Sequence, residues 1–149
     1  MLTCTRKLTA DGVISQKGMR ASGANGWYGR YALLNGVPSL IHVSTYKWTR
    51  LAPNPLWITI FGPSWRNTDP ASVSKVLAAY GVENPGLLHH DATVSPTVLL
   101  RVPTGAERHE VVAAVADQVR HLAPSVAGLA STAPAKPAAP EPETETAES

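Results

Sequence analysis

The stretch Trp27–Trp48, WYGRYALLNGVPSLIHVSTYKW, divides at Asn35-Gly36 into two runs rich in aromatic and branched residues. Asn-Gly suits the positive φ angles of a two-residue type I′ turn, so the stretch predicts a β-hairpin of Trp27–Leu34 and Val37–Trp48. Pairing about that turn sets Leu34 opposite Val37 and Tyr31 opposite Leu40. Side chains alternate along a strand. One face therefore carries Trp27, Tyr31, Leu33, Leu40, His42, Tyr46 and Trp48. The other carries Tyr28, Arg30, Leu34, Val37, Ile41, Val43 and Lys47. Neither face is cleanly polar, so both are expected to be partly covered, or one to hold a ligand. Pro38 has no amide to donate, which predicts incomplete pairing on one side near the turn.

Further along, Leu51–Pro55 contains two prolines and reads as a loop, and Leu56–Phe61 reads as a third strand ended by Gly62-Pro63. A helix is expected from Asp69 as cap and Pro70 at the first helical position, with Gly81 closing it. Val73, Val76, Leu77 and Tyr80 follow the spacing of one buried helical stripe. Pro96–Val102 reads as a fourth strand. Thr104 and Glu107 have the spacing of a capping box for a second helix, which stops at Pro124 with Val115, Val119 and Leu122 on its apolar stripe. The order β-β-β-α-β-α predicts an α+β domain: a small antiparallel or mixed sheet with two helices packed on one face.

The chain has 149 residues, the length of one domain. Residues 1–25 are rich in Gly, Ser, Thr and Lys, and are expected to form a flexible basic segment. Residues 26–124 are expected to form the α+β domain, and residues 125–149 a disordered Ala/Pro/Glu-rich tail. Through Ala133 there are 12 bases against 7 acids, a formal +5; from Pro134 there are 4 acids and 1 base, a formal −3. A basic body with an acidic tail suits an anionic partner, with the tail competing for the same surface. Cys4 stands alone, which leaves no disulfide framework and no cysteine zinc site. The N-terminus has no apolar leader core, and the most apolar run, Leu56–Phe61, is far too short to span a bilayer. A cytoplasmic protein without a membrane partner is expected.

The distinctive chemistry lies in one window. From Gly12 to Thr68 there is no Asp or Glu, while six bases occur (Lys17, Arg20, Arg30, Lys47, Arg50 and Arg66). All four Trp, three of the four Tyr and the single Phe fall between Trp27 and Trp65. Flat rings on a sheet can stack with bases while neighbouring cations meet phosphates. The candidate ligand-binding set is Trp27, Arg30, Tyr31, His42, Tyr46, Lys47, Trp48, Arg50, Trp65 and Arg66. Trp48 and Trp65 are the stacking candidates; Lys47, Arg50 and Arg66 are the phosphate contacts. Sheets favour aromatics in any case, so core packing explains part of the pattern, with Trp57 and Phe61 inside.

Other clusters are weaker. His89-His90-Asp91 holds metal-ligand residue types, but it lies in a connection bounded by Gly and Pro. Adjacent strand residues face opposite ways, so an exposed polar turn is expected. Asp117 and His121 have the spacing of a side-chain pair on one helix face. His42 on the aromatic face reads as a half-buried histidine with one hydrogen bond. There is no phosphate-binding Gly-Lys-Ser/Thr loop and no dinucleotide glycine fingerprint. In Gly62-Pro63-Ser64-Trp65-Arg66, Arg66 stands where a nucleophile elbow needs its second Gly. No acid stands two residues before a Lys, so the acid-x-Lys half of a magnesium nuclease site is missing. No cofactor or metal is expected.

Gly26-Trp27-Tyr28-Gly29-Arg30-Tyr31, then Trp48, then Asn54-Pro55-Leu56-Trp57, resembles a pattern in uncharacterised bacterial domains: a Trp/Tyr-Tyr-Gly-x-Tyr strand followed by a Pro-Leu-Trp strand. The resemblance covers about residues 26–66. It implies a related sheet and no particular activity. The abrupt start before the hairpin also fits a shortened form of a longer ancestor. The expectation is a non-catalytic binding or accessory module that uses the aromatic and basic hairpin face. Its partner is single-stranded DNA or RNA in one reading. In a second it is another protein or a second copy, and the third reading is a small hydrolase using His42 or His89-His90-Asp91.

Overall fold

The computed structural model describes residues 2–15, 21–62, 70–91 and 94–132. Along them run α1 (Leu2–Ala10), β1 (Ile14–Ser15), β2 (Ala21–Ala24), β3 (Trp27–Leu34), β4 (Val37–Ser44) and α2 (Thr45–Arg50). Then come β5 (Leu56–Ile60), α3 (Pro70–Glu83), β6 (Leu88–Asp91), β7 (Val94–Leu99) and α4 (Arg108–Thr132). Asn35 and Gly36 take left-handed backbone, with φ of 50° and 85°. Such angles suit Asn and Gly and turn the chain tightly enough to pair Leu34 with Val37 and Tyr31 with Leu40. The expected register is therefore the one formed.

The strands make one antiparallel sheet in the order β1-β3-β4-β5-β7-β6, with β2 pairing the far end of β3 from β1. The class is α+β, and the expected order survives as β3-β4-β5-α3-β7-α4. The β4–β5 ladder ends at Ser39, and Pro38 contributes only its carbonyl, which accepts from the Phe61 amide. Ala32, Leu34, Val37, Ile41, Ile58, Ile60 and Val98 fall on one face by alternation, and all are buried in the core. That core also holds the α3 stripe of Val73, Leu77 and Tyr80, and Val115, Val119 and Leu122 of α4. The helices α3 and α4 pack side by side, and α1 packs on α4. The Asn35 amide reaches the Ala123 carbonyl at 3.3 Å and ties the hairpin turn to α4.

Several local expectations are overridden by packing. Residues 2–10 form a helix whose Leu8 is wholly buried, and Ile14 joins the core, so the folded body begins well before residue 26. At the other end, α4 does not stop at Pro124 but runs on to Thr132. A proline inside a helix costs about 3 kcal/mol, and burying Val126 and Leu129 returns roughly 1.5–3 kcal/mol each. The expected capping box is displaced: α4 begins at Arg108, and the Glu110 carboxylate accepts from the Glu107 amide. Gly81 does not close α3, which continues to Glu83; it lies against Leu88, where a Cβ would meet the side chain at 3.0 Å. The expected fourth strand lies at Val94–Leu99, a little earlier than the sequence pattern implies. Asp69, the expected cap of α3, lies outside the described residues, as do residues 133–149.

Asn54 fastens the loop before β5 to the end of β7. Its amide donates to the carbonyls of Leu56 (2.7 Å) and Leu100 (2.9 Å), and its carbonyl accepts from the Val102 amide (3.2 Å). Removing it takes the partner from the Leu100 carbonyl and the Val102 amide, while the Leu56 carbonyl keeps the Leu100 amide at 3.0 Å. Asn54→Ala is expected to lower unfolding free energy by about 2–3 kcal/mol, read as an earlier urea midpoint at unchanged slope.

Candidate functional site

The face opposite the aliphatic core carries the ring-bearing and polar residues. Trp27, Leu40, His42, Thr59 and Phe61 line a pocket of about 620 Å³, closed on one side by Thr45, Tyr46, Lys47 and Thr49 of α2. The α2 helix exists because Ser44, in extended backbone, caps it: its hydroxyl accepts from the Lys47 amide at 3.2 Å. The Thr45 amide is meanwhile taken by the Gly26 carbonyl at 2.9 Å. The chain therefore leaves the ladder at Ser44, and the expectation of a strand through Trp48 is corrected. Tyr46, Lys47 and Trp48 sit on a helix rather than alternating across a sheet. The readable signals were Ser44 at a cap position and Lys47 and Arg50 in a closing turn.

His42 is 5% exposed, and its Nε2 lies 2.9 Å from Thr59 Oγ1, which lies 3.0 Å from Thr97 Oγ1. The three side chains form a hydrogen-bonded row across β4, β5 and β7. Gly29 permits it to sit flush against β3, since a Cβ there would come within 2.6 Å of both His42 Cβ and the Ile41 carbonyl. Burial, and secondarily the Lys47 charge, push the His42 imidazole down to about 4. It is thus neutral at physiological pH, and a weak base for drawing a proton from a threonine hydroxyl.

Lys47 is half-buried in the same pocket, and burial holds its ammonium below its ordinary value. The lining contains no carboxylate. A cation drawn partly out of water without a counter-charge favours an anion as its partner. Tyr46, on the pocket wall, is 63% exposed and Trp48 49%, and the Arg50 guanidinium lies over the Tyr46 ring, 5.5 Å from its centroid.

The remaining candidates are divided. Tyr31 is half-buried beside Phe61, with ring centroids 6.4 Å apart. Arg30 points to the other face, paired in register with Ile41 and half-buried. Trp65 and Arg66 lie outside the described residues. The structure thus brings Trp27, His42, Tyr46 and Lys47 to one pocket, with Trp48 and Arg50 on its outer helix. Thr59 and Thr97 were not expected, because finding them requires knowing that β5 lies between β4 and β7.

His89 corrects the reading of 89–91 as an exposed turn. Leu88–Asp91 is an edge strand, and the His89 ring packs edge-on against wholly buried Trp57, 5.5 Å between centroids. The side chains of His90 and Asp91 lie outside the described residues. Among the described residues, no three His, Cys, Asp or Glu side chains gather as a metal set. The Asp117–His121 pair does not form: Asp117 bonds Arg120 at 2.6 Å, and the His121 ring turns to Tyr80, 5.9 Å between centroids.

The His42 value has a signed consequence. Unfolded, the imidazole takes its proton near its ordinary 6.5, whereas the folded protein resists until about 4. Its contribution is therefore complete above pH 6.5, declines as pH falls towards 4, and is constant below. The interval corresponds to about 3 kcal/mol. Urea unfolding of the natural chain and of His42→Asn, across that pH range, should show this fall in the natural chain alone. Parallel curves would show that His42 carries no such penalty.

No family model, curated protein or solved structure matches the chain.

Proposed function

We propose that this chain is a non-catalytic binding module that takes single-stranded nucleic acid where the hairpin meets α2. The observation that carries the reading is Lys47, a half-buried cation in a pocket without carboxylates, walled by Trp27 and Tyr46. In this reading Lys47 and Arg50 meet backbone phosphates, and Tyr46 and Trp48 offer exposed faces to unpaired bases. Neutral His42 offers a hydrogen-bonding group without adding charge. A duplex presents its bases stacked and hidden, so rings on a short helix suit a single strand better. No described helix is long and apolar enough to cross a membrane. The reading goes with the cytoplasmic placement expected from the sequence.

The test is fluorescence anisotropy of the full chain with short labelled single-stranded DNA, single-stranded RNA and duplex DNA across a salt series. Single strands are expected to bind more tightly than duplex, with tryptophan quenching. Trp48→Ala should weaken binding by about 1–3 kcal/mol. Lys47→Gln combined with Arg50→Gln should flatten the salt slope by roughly 0.7 for each phosphate that is no longer neutralised. Absence of binding at about 50 mM salt, or equal binding by the variants, overturns the reading.

A further inference from the structure

A second cavity, of about 810 Å³, lies away from the hairpin, where the end of β7 passes between α3, α4 and the Ala52–Asn54 loop. Its apolar lining comes from Pro53, Leu87, Leu99 and Val102; its polar groups include Tyr80, Arg101, Asp117 and His121. The backbone that presents Arg101 is held at both ends by one side chain. Gln118 donates to the Arg101 carbonyl at 2.7 Å and accepts from its amide at 2.7 Å. Asn54 holds the neighbouring Leu100 carbonyl and Val102 amide. The wall is therefore built before any ligand arrives, and Arg101 projects from a fixed base.

The charges at this wall are unequal. Asp117 is taken up by Arg120, which also pairs with Asp11. The Arg101 guanidinium forms no ion pair among the described residues. Tyr80 is 3% exposed, and its hydroxyl bonds no described residue. Burial raises its pKa against the opposing pull of Arg101, so the phenol stays protonated and donates. A forked guanidinium with a nearby phenolic donor above an aliphatic floor matches one carboxylate on an apolar body. A single unpaired cation beside Asp117 suits a monoanion and disfavours a phosphate dianion. The volume is that of a small-molecule site.

We infer that this cavity binds a small organic monocarboxylate with an apolar body, its carboxylate held by Arg101 and Tyr80 and its body against Leu87 and Leu99. The site is separate from the hairpin pocket and stands whether or not that pocket binds nucleic acid.

The inference is tested by nitrogen–proton correlation spectra of the full chain titrated with 3-phenylpropionate, hexanoate, 3-phenylpropanamide and phenyl phosphate. At least one carboxylate is expected to move the backbone signals of Leu87, Arg101, Val102 and His121 saturably. The amide and the phosphate should bind at least about tenfold more weakly. Arg101→Gln should weaken carboxylate binding about tenfold or more, and Tyr80→Phe, which keeps the ring, by several-fold. Both variants should leave the hairpin signals in place, which separates lost binding from lost folding. No shift with either carboxylate, equal binding of acid and amide, or undiminished binding by folded Arg101→Gln overturns the inference.

Discussion

Two consecutive residues in left-handed backbone, Asn35 and Gly36, set the register on which the sheet is built. A slip of one residue would turn every side chain of one strand to the opposite face. With Leu34 opposite Val37, the buried residues Ala32, Leu34, Val37 and Ile41 face the core, and Trp27, Tyr31, Leu40 and His42 face away from it. The next strand repeats the division, with Ile58 inside and Thr59 beside His42. The hydrogen-bonded row of His42, Thr59 and Thr97 is a consequence of that register, carried across three strands. The turn is in addition tied to α4 through the Asn35 amide, so it also positions the helical layer.

The hairpin pocket takes its electrostatic character from what is missing around it. Between Gly12 and Thr68 no carboxylate is available to pair with a cation. Lys47 is drawn into the pocket by the Ser44 cap and by α2, so its burial is uncompensated. His42 answers the same environment by staying neutral, and the Thr59 hydroxyl bonds its Nε2 without supplying a counter-charge. Such a pocket is suited to holding negative charge. Its imidazole is a weak base, and among the described residues no carboxylate bonds it. The second cavity is organised differently: Gln118 and Asn54 fix the backbone there, and the charge sits on a single guanidinium.

The extent of the fold is a question of packing more than of local preference. Pro124 is a stop signal for an isolated helix, yet Val126 and Leu129 beyond it are buried among the other helices. Residues 2–10 have no strong helical pattern of their own, yet they are helical against α4 with Leu8 enclosed. His89 lies in a short polar run and is placed by the ring of Trp57. In each case packing between segments distant in sequence outweighs a local preference of a few kcal/mol or less.

From residue order alone, the hairpin, its register, the third strand, the start of α3 at Pro70 and its buried stripe were all legible. Each is governed by backbone angles, capping or periodicity within a few residues, and those interactions are present in the chain before it folds. The acid-free window was equally plain, since composition does not depend on folding. The α2 helix, edge strand β6, the two threonines behind His42 and the Arg101 cavity depend on which segments become neighbours. Sheet order and helix docking are decided by the whole apolar surface that can be buried at once. No short stretch of sequence carries that sum. Only the tertiary structure could therefore separate Arg30 from Lys47, bring Lys47 to His42, and set Tyr80 beside Arg101.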